Sequence, residues 1–575
     1  MKTRNRDIVS ILNEVADLLD IQGANAFRVR SYRNAARTVE DLDREVSDLI
    51  ESGKDLSELP DIGQSIADKL TEIVETGRLQ QLDELKEEMD EDVTELLRIE
   101  NLGPARAGTL YRELGISDAQ GVLEAAEAGR IAELDGFGEK TQEQLAEDAR
   151  RYVESGTRDR ILLGETDAVV EPLLEYLTNR KSIDRAVAAG SYRRRKETIG
   201  DLDIVAVCED PDRAMEDFVA YDRVEKVVSQ GSTKSTVVLA SGLQVDLRAV
   251  AQESFGSALY YFTGSKEHNI ATRRLAQERG LKINEYGVHE GDKQIAGETE
   301  EEVFGTIDLP YIPPELRENR GEIEAAQKGQ LPKLLELEDI RGDIHMHTRA
   351  TDGKGSIEEM AEAAKALGYD YLAITDHSQR ARMAGGLTPD GVEEQLEKIA
   401  AAVEKVDGIR ILSGIEVDIL EDGSLDLPDD VLEKLDVVIG SIHYNRNLSE
   451  KKMTERLVKA IEHPLLGIVG HPTGRMIGKR EPYAFDFEEV FKAAARHGVV
   501  MEINANPERL DLGDTAARAA KENGVAVSVS SDAHSPGGLR NMSYGVDTAR
   551  RGWIEARDVV NTRSAKDLLK ALRKK

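Results

Sequence analysis

Gly190-Ser191-Tyr192-Arg193-Arg194-Arg195-Lys196-Glu197-Thr198-Ile199-Gly200-Asp201-Leu202-Asp203 is the stretch on which the reading of this chain turns. Asp201 and Asp203 alternate on a strand that continues through Val207, so both carboxylates point to one face. Asp246, in Val245-Asp246-Leu247, sits on a second strand that can pair with the first. Three carboxylates brought together suit two Mg²⁺ ions, the arrangement that serves in-line phosphoryl transfer. Gly190-Ser191 and Arg194, just upstream, have the chemistry to clamp a triphosphate tail. An isolated Asp-x-Asp is a common exposed strand pattern, but the attached Gly-Ser-x-Arg-Arg and the later Asp246 set this one apart.

Around this segment, from about residue 160 to 255, apolar residues recur with period two. Asp203–Val207, Thr236–Leu239 and Gln244–Leu247 read as strands. Residues 256–316 return to mixed helix and turn, ending at the rigid Pro310-Tyr311-Ile312-Pro313-Pro314. The charged stretch 317–337, with Gly321, Gly329 and Pro332, reads as an interdomain linker. Beyond it, seven apolar strand candidates alternate with helical patterns, near 340–344, 371–375, 411–417, 437–442, 467–470, 499–503 and 525–530. That alternation predicts a parallel sheet, and seven units predict a closed or nearly closed barrel.

Eight of the ten histidines lie beyond residue 340, and six of these follow directly after a predicted strand: His345, His347, His377, His443, His471 and His534. Asp352, Glu416 and Asp532 fall at the same strand ends. Barrel strands deliver functional side chains at their C-terminal ends, so nine ligands surround one mouth. Imidazoles and carboxylates suit Zn²⁺, Mn²⁺ or Fe, and nine suffice for about three ions with positions left open for water. His463 and His497 lie off the pattern, in or near helices, and read as structural.

From residue 1 to about 155 the spacing is helical, as in Ile8, Leu12, Val15, Leu18 and Leu19. Three short segments there resemble one another: Leu59-Pro60-Asp61-Ile62-Gly63, Ile99-Glu100-Asn101-Leu102-Gly103 and Leu134-Asp135-Gly136-Phe137-Gly138. Each places an apolar residue, a tight turn ending in Gly, and a new helix. This is the layout of a helix–hairpin–helix, with Gly63, Gly103 and Gly138 letting the backbone turn so that helix N–H groups can face a phosphate.

Composition bounds the rest. The 575 residues give a prior of roughly three to five domains. A hydrophobic fraction of 40% excludes a mostly disordered chain, despite 32% charged residues. No apolar run is long enough to span a bilayer, no signal peptide is read, and the single cysteine, Cys208, allows no intrachain disulfide. The expected location is therefore cytoplasmic. A net charge of −34 opposes phosphate binding in general, yet the acidity is spread along the whole chain. That distribution reads as a halophilic surface rather than an acidic tail, and main-chain phosphate contacts survive on it.

On the Gly190–Asp203 stretch, Val245-Asp246-Leu247 and Tyr260-Tyr261-Phe262-Thr263-Gly264-Ser265, residues 1–316 resemble the family X DNA polymerases, the family of DNA polymerase beta. The resemblance implies that Asp201, Asp203 and Asp246 bind catalytic Mg²⁺ or Mn²⁺, with Asp246 near the primer 3′-hydroxyl. It implies that Ser191, Arg194 and Gly200 bind the incoming triphosphate, and that Tyr261, Phe262 and Gly264 hold its sugar and base. Asn269 and Arg273 would reach the minor groove, and Lys69 takes the Schiff-base position of a lyase domain. Basic residues that accompany this lysine in the eukaryotic enzyme are replaced here by Phe27 and Ser65, although Arg28 keeps one charge. Asp343-Ile344-His345-Met346-His347-Thr348, Thr375-Asp376-His377-Ser378, Gly470-His471-Pro472 and Ser531-Asp532-Ala533-His534 are similar to the PHP family, with all nine ligand positions filled. Arg380 and Arg382 are placed to meet a substrate phosphate.

The fold expected is multidomain α+β and α/β: a DNA-binding, lyase-like helical domain (1–80), a helix–hairpin–helix subdomain (81–155), a nucleotidyltransferase palm (156–255), a thumb-like subdomain (256–316), the linker (317–337) and a distorted (β/α)7 PHP barrel (338–575). The polymerase-then-PHP order resembles the bacterial and archaeal branch of family X. It implies gap filling with dNTPs on gapped or primed DNA, plus metal-dependent 3′-to-5′ exonuclease and 3′-end or abasic-site processing; a monomer is the default expectation, which the sequence does not itself decide. The alternative is a phosphoesterase for small phosphomonoesters, with the polymerase half inactive and serving as a DNA tether.

Overall fold

Ile8, Leu12, Val15, Leu18 and Leu19, the apolar stripe of the first helix (Asn5–Gln22), are fully or almost fully buried in the computed structural model. The structure describes residues 5–40, 46–51, 54–59, 62–76, 78–87, 89, 93, 96, 99, 102–134, 136–155 and 160–572. The chain divides into two compact units, 1–159 and 160–575.

The first unit is helical throughout its described residues, around one apolar core. Helices α1 (Gln64–Thr76), α2 (Pro104–Leu114) and α3 (Glu139–Ser155) each start directly after one of the repeated segments. The three entries share one hydrogen-bond pattern. The amides of Ile62, Leu102 and Phe137 donate to the carbonyls of Leu59, Ile99 and Leu134 at 3.2, 3.2 and 3.1 Å. The carbonyls of Gly63, Gly103 and Gly138 then accept from Ala67, Ala107 and Gln142 at 3.0, 2.9 and 2.9 Å. Pro60, Asp61, Glu100, Asn101 and Asp135 of these segments lie outside the described residues.

The role read for the three glycines needs correction. None of them has positive φ, and Gly103 at φ −76° holds a conformation open to any residue. Instead, nothing lies within 4 Å of where a Cβ would stand at any of the three. Their value is a bare helix entry, which lets an anion approach the first-turn N–H groups.

The second unit begins with a five-stranded palm sheet: β1 (Arg185–Ala188), β2 (Asp201–Val207), β3 (Val224–Gln230), β4 (Lys234–Leu239) and β5 (Gln244–Val250), in the order β1-β2-β5-β4-β3. β2 and β5 run parallel, and the other pairs are antiparallel. On β2, Leu202, Ile204 and Ala206 enter one core, while Val205 and Val207 pack under Phe255, Ala258 and Leu259 on the other face. That second cover leaves Asp201 and Asp203, on the same face as Val205, without an apolar lid. The short helix α4 (Gly190–Arg193) precedes β2, and α5 (Lys266–Glu278) belongs to the thumb-like region with a small antiparallel sheet over 281–296.

Seven parallel strands form the barrel in chain order: β6 (Gly342–Asp343), β7 (Tyr371–Ile374), β8 (Arg410–Asp418), β9 (Val437–Ser441), β10 (Ile468–Val469), β11 (Val500–Asn504) and β12 (Val527–Ser530). Each falls where the sequence placed one. A parallel bridge between Met346 and Ala533, with the His347 amide 2.9 Å from the Ala533 carbonyl, draws the first and last strands together. Leu568, Leu569 and Leu572 join Ile344, Ala373, Leu412, Ile439 and Ile468 in a core of their own, so a C-terminal helix (Ala565–Leu572) packs against the apolar residues of the strands. Before it comes α6 (Met542–Arg551).

Residues 317–337 differ from the linker expected. Arg317 is fully buried, its guanidinium 2.6 Å from Glu300, and Glu322 is buried against His268 at 2.7 Å. Ile323, Ala326 and Leu334 enter the thumb core, and the Leu335 amide donates to Ile554 of the barrel domain at 3.0 Å. Arg317, Glu318, Arg320 and Glu322 are held in ion pairs of an ordered strap, while Glu324, Lys328 and Lys333 stay exposed.

Candidate active sites

The palm centre follows from strand register. Asp203 and Asp246 are direct partners across the parallel β2–β5 pair, with Asp201 two residues earlier on β2. Across β4–β5, Thr236 faces Asp246 and donates its hydroxyl to Oδ1 at 2.7 Å, while Lys234 Nζ stands 2.8 Å from Oδ2. Burial, followed by the charges of Asp201 and Asp246, pushes the Asp203 carboxyl up to about 7. Three carboxylates held against their own repulsion fit divalent cations, which would relieve it.

Gly190 has φ +60°, and a Cβ there would lie 2.8 Å from Asp203 Oδ2. The turn is thus pressed against the carboxylates, with Ser191 in α4 and Gly200 at the entry to β2. Arg194 is engaged: its guanidinium donates to the Thr263 carbonyl and lies 3.1 Å from Glu318 of the strap. It also comes within 3.1 Å of where a Cβ on Gly264 would stand, and Gly264 itself has φ +67°. Tyr261 and Phe262 meet edge to face at 5.2 Å, with Arg248 4.1 Å over the Phe262 ring. On α5, Asn269 donates to the Tyr261 carbonyl at 2.8 Å, and Arg273 donates to the Asn269 carbonyl at 3.2 Å. The residues singled out in the palm and thumb therefore form one neighbourhood. Lys69 and Gly63, Gly103 and Gly138 belong to the helical unit, with Lys69 half-buried on α1.

The barrel centre gathers side chains from six strand ends. Three groups of ligand atoms lie within 4.8 Å of one another: His347, Asp352, His377 and His534; His345, His347 and Asp532; and His377, Glu416 and His443. Eight of the nine residues expected are in these groups. The ninth, His471, places Nε2 2.9 Å from Glu416 Oε1. His347 Nε2 lies 3.1 Å from Asp532, and His377 Nδ1 lies 2.7 Å from Glu416 Oε2 without hydrogen-bond geometry. Buried His345 Nε2, His347 Nδ1 and His471 Nδ1 likewise have no hydrogen-bond partner. Buried lone pairs aimed inward without protons to share fit metal ions. Burial would raise Glu416, but His443, His377 and His345 hold it well below the usual carboxylate range. His471 and Asp532 sit at φ +28° and +52°, strain of the kind retained at functional sites.

Some functional neighbours escape sequence reading. Glu502 on β11 meets His345 Nδ1 at 2.7 Å, orienting that ring, and accepts the His471 backbone amide at 2.6 Å, holding the main chain that carries His471. A Glu inside the apolar Val499-Val500-Met501-Glu502-Ile503 is the signal that could have revealed it. Lys234 and Thr236 alternate on β4, but only the folded sheet shows that Thr236 stands opposite Asp246 and that Lys234, opposite Arg248, reaches it diagonally. A cleft of about 800 Å³ is lined by Gln379, Arg380, Arg382, Thr388, Asp426 and Tyr444. Two of its walls follow ligands His377 and His443 in sequence. Arg380 stands 5.5 Å over the Tyr444 ring and pairs with Glu421.

Comparison with known families places a helix–hairpin–helix domain at residues 3–79, a SAM-like helix–hairpin–helix tandem at 93–151, a DNA polymerase beta thumb at 258–318 and a PHP domain at 343–506. The chain is 38% identical over 568 residues to the DNA polymerase/3′-5′ exonuclease PolX of Bacillus subtilis, covering 98% of each. Probable phosphatases of Thermoanaerobacter sp. and Caldanaerobacter subterraneus subsp. tengcongensis are 34% and 35% identical, over 33% and 36% of this chain and 78% and 79% of their own.

Proposed function

Because the chain belongs to the family X DNA polymerases that carry a PHP domain, we propose that it fills short gaps in DNA from dNTPs at the palm and trims 3′ ends in the 3′-to-5′ direction at the barrel. The observation that carries this reading is that one compact unit holds both Asp203 paired across strands with Asp246, with Asp201 beside them, and the clustered histidines and acids of the barrel. Divalent cations at each would supply Lewis-acid stabilisation of a phosphoryl transfer: Mg²⁺ or Mn²⁺ at Asp201, Asp203 and Asp246, and about three Mn²⁺, Zn²⁺ or Fe ions at the histidine-rich site.

In the palm, the chain's own contribution is placement. Thr236 and Lys234 orient Asp246 toward the primer 3′-hydroxyl. Ser191, Gly200 and Arg194 receive the triphosphate, and Tyr261, Phe262 and Gly264 hold the sugar and base. Asn269 and Arg273 follow the minor groove. In the barrel, Glu502 fixes the His345 ring and the His471 main chain, and the cleft with Arg382 and Tyr444 admits an unpaired 3′ end by ion pairing and stacking. The three bare helix entries take backbone phosphates, which reconciles DNA binding with an acidic surface. Lys69 supplies lyase chemistry on an abasic sugar. The protein acts as a cytoplasmic monomer adapted to high salt, and among the described residues no helix is long and apolar enough to cross a membrane.

The test is a one-nucleotide gapped DNA with a 5′-labelled primer, incubated with Mn²⁺ in high potassium chloride, with and without dNTPs. Lengthening with dNTPs and shortening without them is expected. Asp246→Ala should remove lengthening alone, and His345→Ala shortening alone. Loss of both activities from either change would refute two separate centres. The likeness of the barrel to phosphatases favours a second reading, hydrolysis of small phosphomonoesters, and a strong preference for such an ester over a DNA 3′ end would establish it.

A further inference from the structure

We propose that α6 of the barrel domain is part of the nucleotide-binding apparatus of the palm, and that Arg551 is a positioning residue that keeps Arg194 available to the triphosphate. This rests on the reading of Gly190–Asp203 as the dNTP site. The turn that follows α4 is held from the barrel side at three places. Arg551 Nη1 donates to the Arg194 carbonyl at 2.6 Å. Arg195, at φ +53°, places Nε 2.7 Å from Asp547 of α6, and its other nitrogens 3.2 and 3.3 Å from Asp167 of the palm. Arg475, from the loop after β10, reaches Glu197 at 2.7 Å. A non-glycine residue with positive φ is unfavourable in isolation and persists only where its surroundings hold it. For Arg195 half of those surroundings come from the barrel.

The arrangement also controls charge. Arg194 and Arg551 converge on the same oxygen, Glu318 Oε1, at 3.1 and 3.0 Å. Arg551 is 5% exposed and tied to Asp514 at 2.7 Å, so it has nowhere else to go. Arg194, on the turn that Gly190 presses against Asp203, is the partner that can leave. When a triphosphate draws Arg194 away, Glu318 stays paired with Arg551, and no carboxylate is left buried alone. Without Arg551, Glu318 would lose its fixed partner and hold Arg194 against the nucleotide, because stranding a buried carboxylate is costly. Lys196 adds charge to this cluster, and burial, aided by Arg551 and Arg194 against the opposing pull of Glu318 and Asp514, lowers its own basicity. It is a poor substitute for a guanidinium fixed between two acids.

The experiment uses the full chain on gapped DNA, reading the dNTP dependence of extension and, separately, 3′ trimming. Arg551→Met is expected to raise the dNTP KM by about tenfold or more, with kcat within about threefold and trimming unchanged. Adding Glu318→Gln to Arg551→Met is expected to return KM to within about threefold of the natural protein, because the competing charge is gone. Glu318→Gln alone, which guards against poor folding of Arg551→Met, should leave KM unchanged or lower it. An unaltered KM in Arg551→Met, no recovery in the double variant, a raised KM in Glu318→Gln, or trimming that falls in step with extension would each overturn the proposal. Failure of the unaltered protein to extend at all would overturn the palm reading itself.

Discussion

Replacing Asp203 with asparagine should cost the palm its chemistry and make the metal-free protein more stable. Burial and the charges of Asp201 and Asp246 push this carboxyl from 3.8 to about 7, so in the folded state its ionisation is opposed at neutral pH. A displacement of that size, at 1.36 kcal/mol for each pH unit, corresponds to roughly 4 kcal/mol of destabilisation above pH 7. The sign follows from proton counting. Between pH 3.8 and about 7 the folded protein binds the proton more tightly than the unfolded chain, so stability falls as pH rises through that window. The amide side chain of the variant carries no such charge, so the gap between the two proteins should be widest above pH 7 and close toward pH 4. For a unit of this size the full gap corresponds to roughly 4–5 °C of Tm. The assay is scanning calorimetry in excess chelator at pH 8, 6 and 4, repeated with millimolar Mn²⁺, in which the natural protein should regain the advantage by binding the ion. A chelated Asp203→Asn protein that melts at or below the natural one at pH 8 would refute this account of the site.

Further consequences can be checked separately. Tyr444→Ala and Arg382→Ala should raise the KM of DNA trimming about tenfold while leaving hydrolysis of a small phosphodiester within about twofold, since stacking and a phosphate contact are lost together. Glu502→Gln should weaken metal retention by the barrel about 10- to 100-fold, read by competition with a chelator, without changing extension. Gly103→Ala should leave the melting temperature within about 1 °C, because open space faces its Cβ. Gly103→Glu should weaken binding to gapped DNA by an acidic side chain at the helix entry, measured by fluorescence anisotropy at fixed salt.

Much of the architecture was readable because it is written in local periods. The seven barrel strands and the alternation of Asp201 and Asp203 need only a few neighbouring residues to specify them. That the nine candidate ligands would come together was readable because strand ends converge whatever the helices between them do. What escaped depends on partners far away in sequence. Arg551 meets Arg194, and Arg475 meets Glu197, across hundreds of residues, and no window of sequence announces such a pair. The strap misled for a related reason: Arg317, Glu300, Glu322 and His268 look solvated singly and are buried only as partners. The three repeated glycines stand at helix entries as the spacing indicated, but what the structure gives them is open space rather than an unusual torsion.

The closure between Met346 and Ala533, with Leu568 and Leu572 packed in the same core as Ile344 of the first barrel segment, has a bearing on synthesis. The first metal ligands, His345 and His347, leave the ribosome long before Asp532 and His534, and the leucines that complete their core come later still. The palm strands emerge earlier, yet Arg551 and Asp547, which brace the triphosphate turn, arrive only with the last stretch of the barrel. A nascent chain therefore carries neither centre in finished form. On the proposed reading of the two centres, neither is finished before the last stretch of the barrel is made, so extension and trimming come into being in the same span of synthesis.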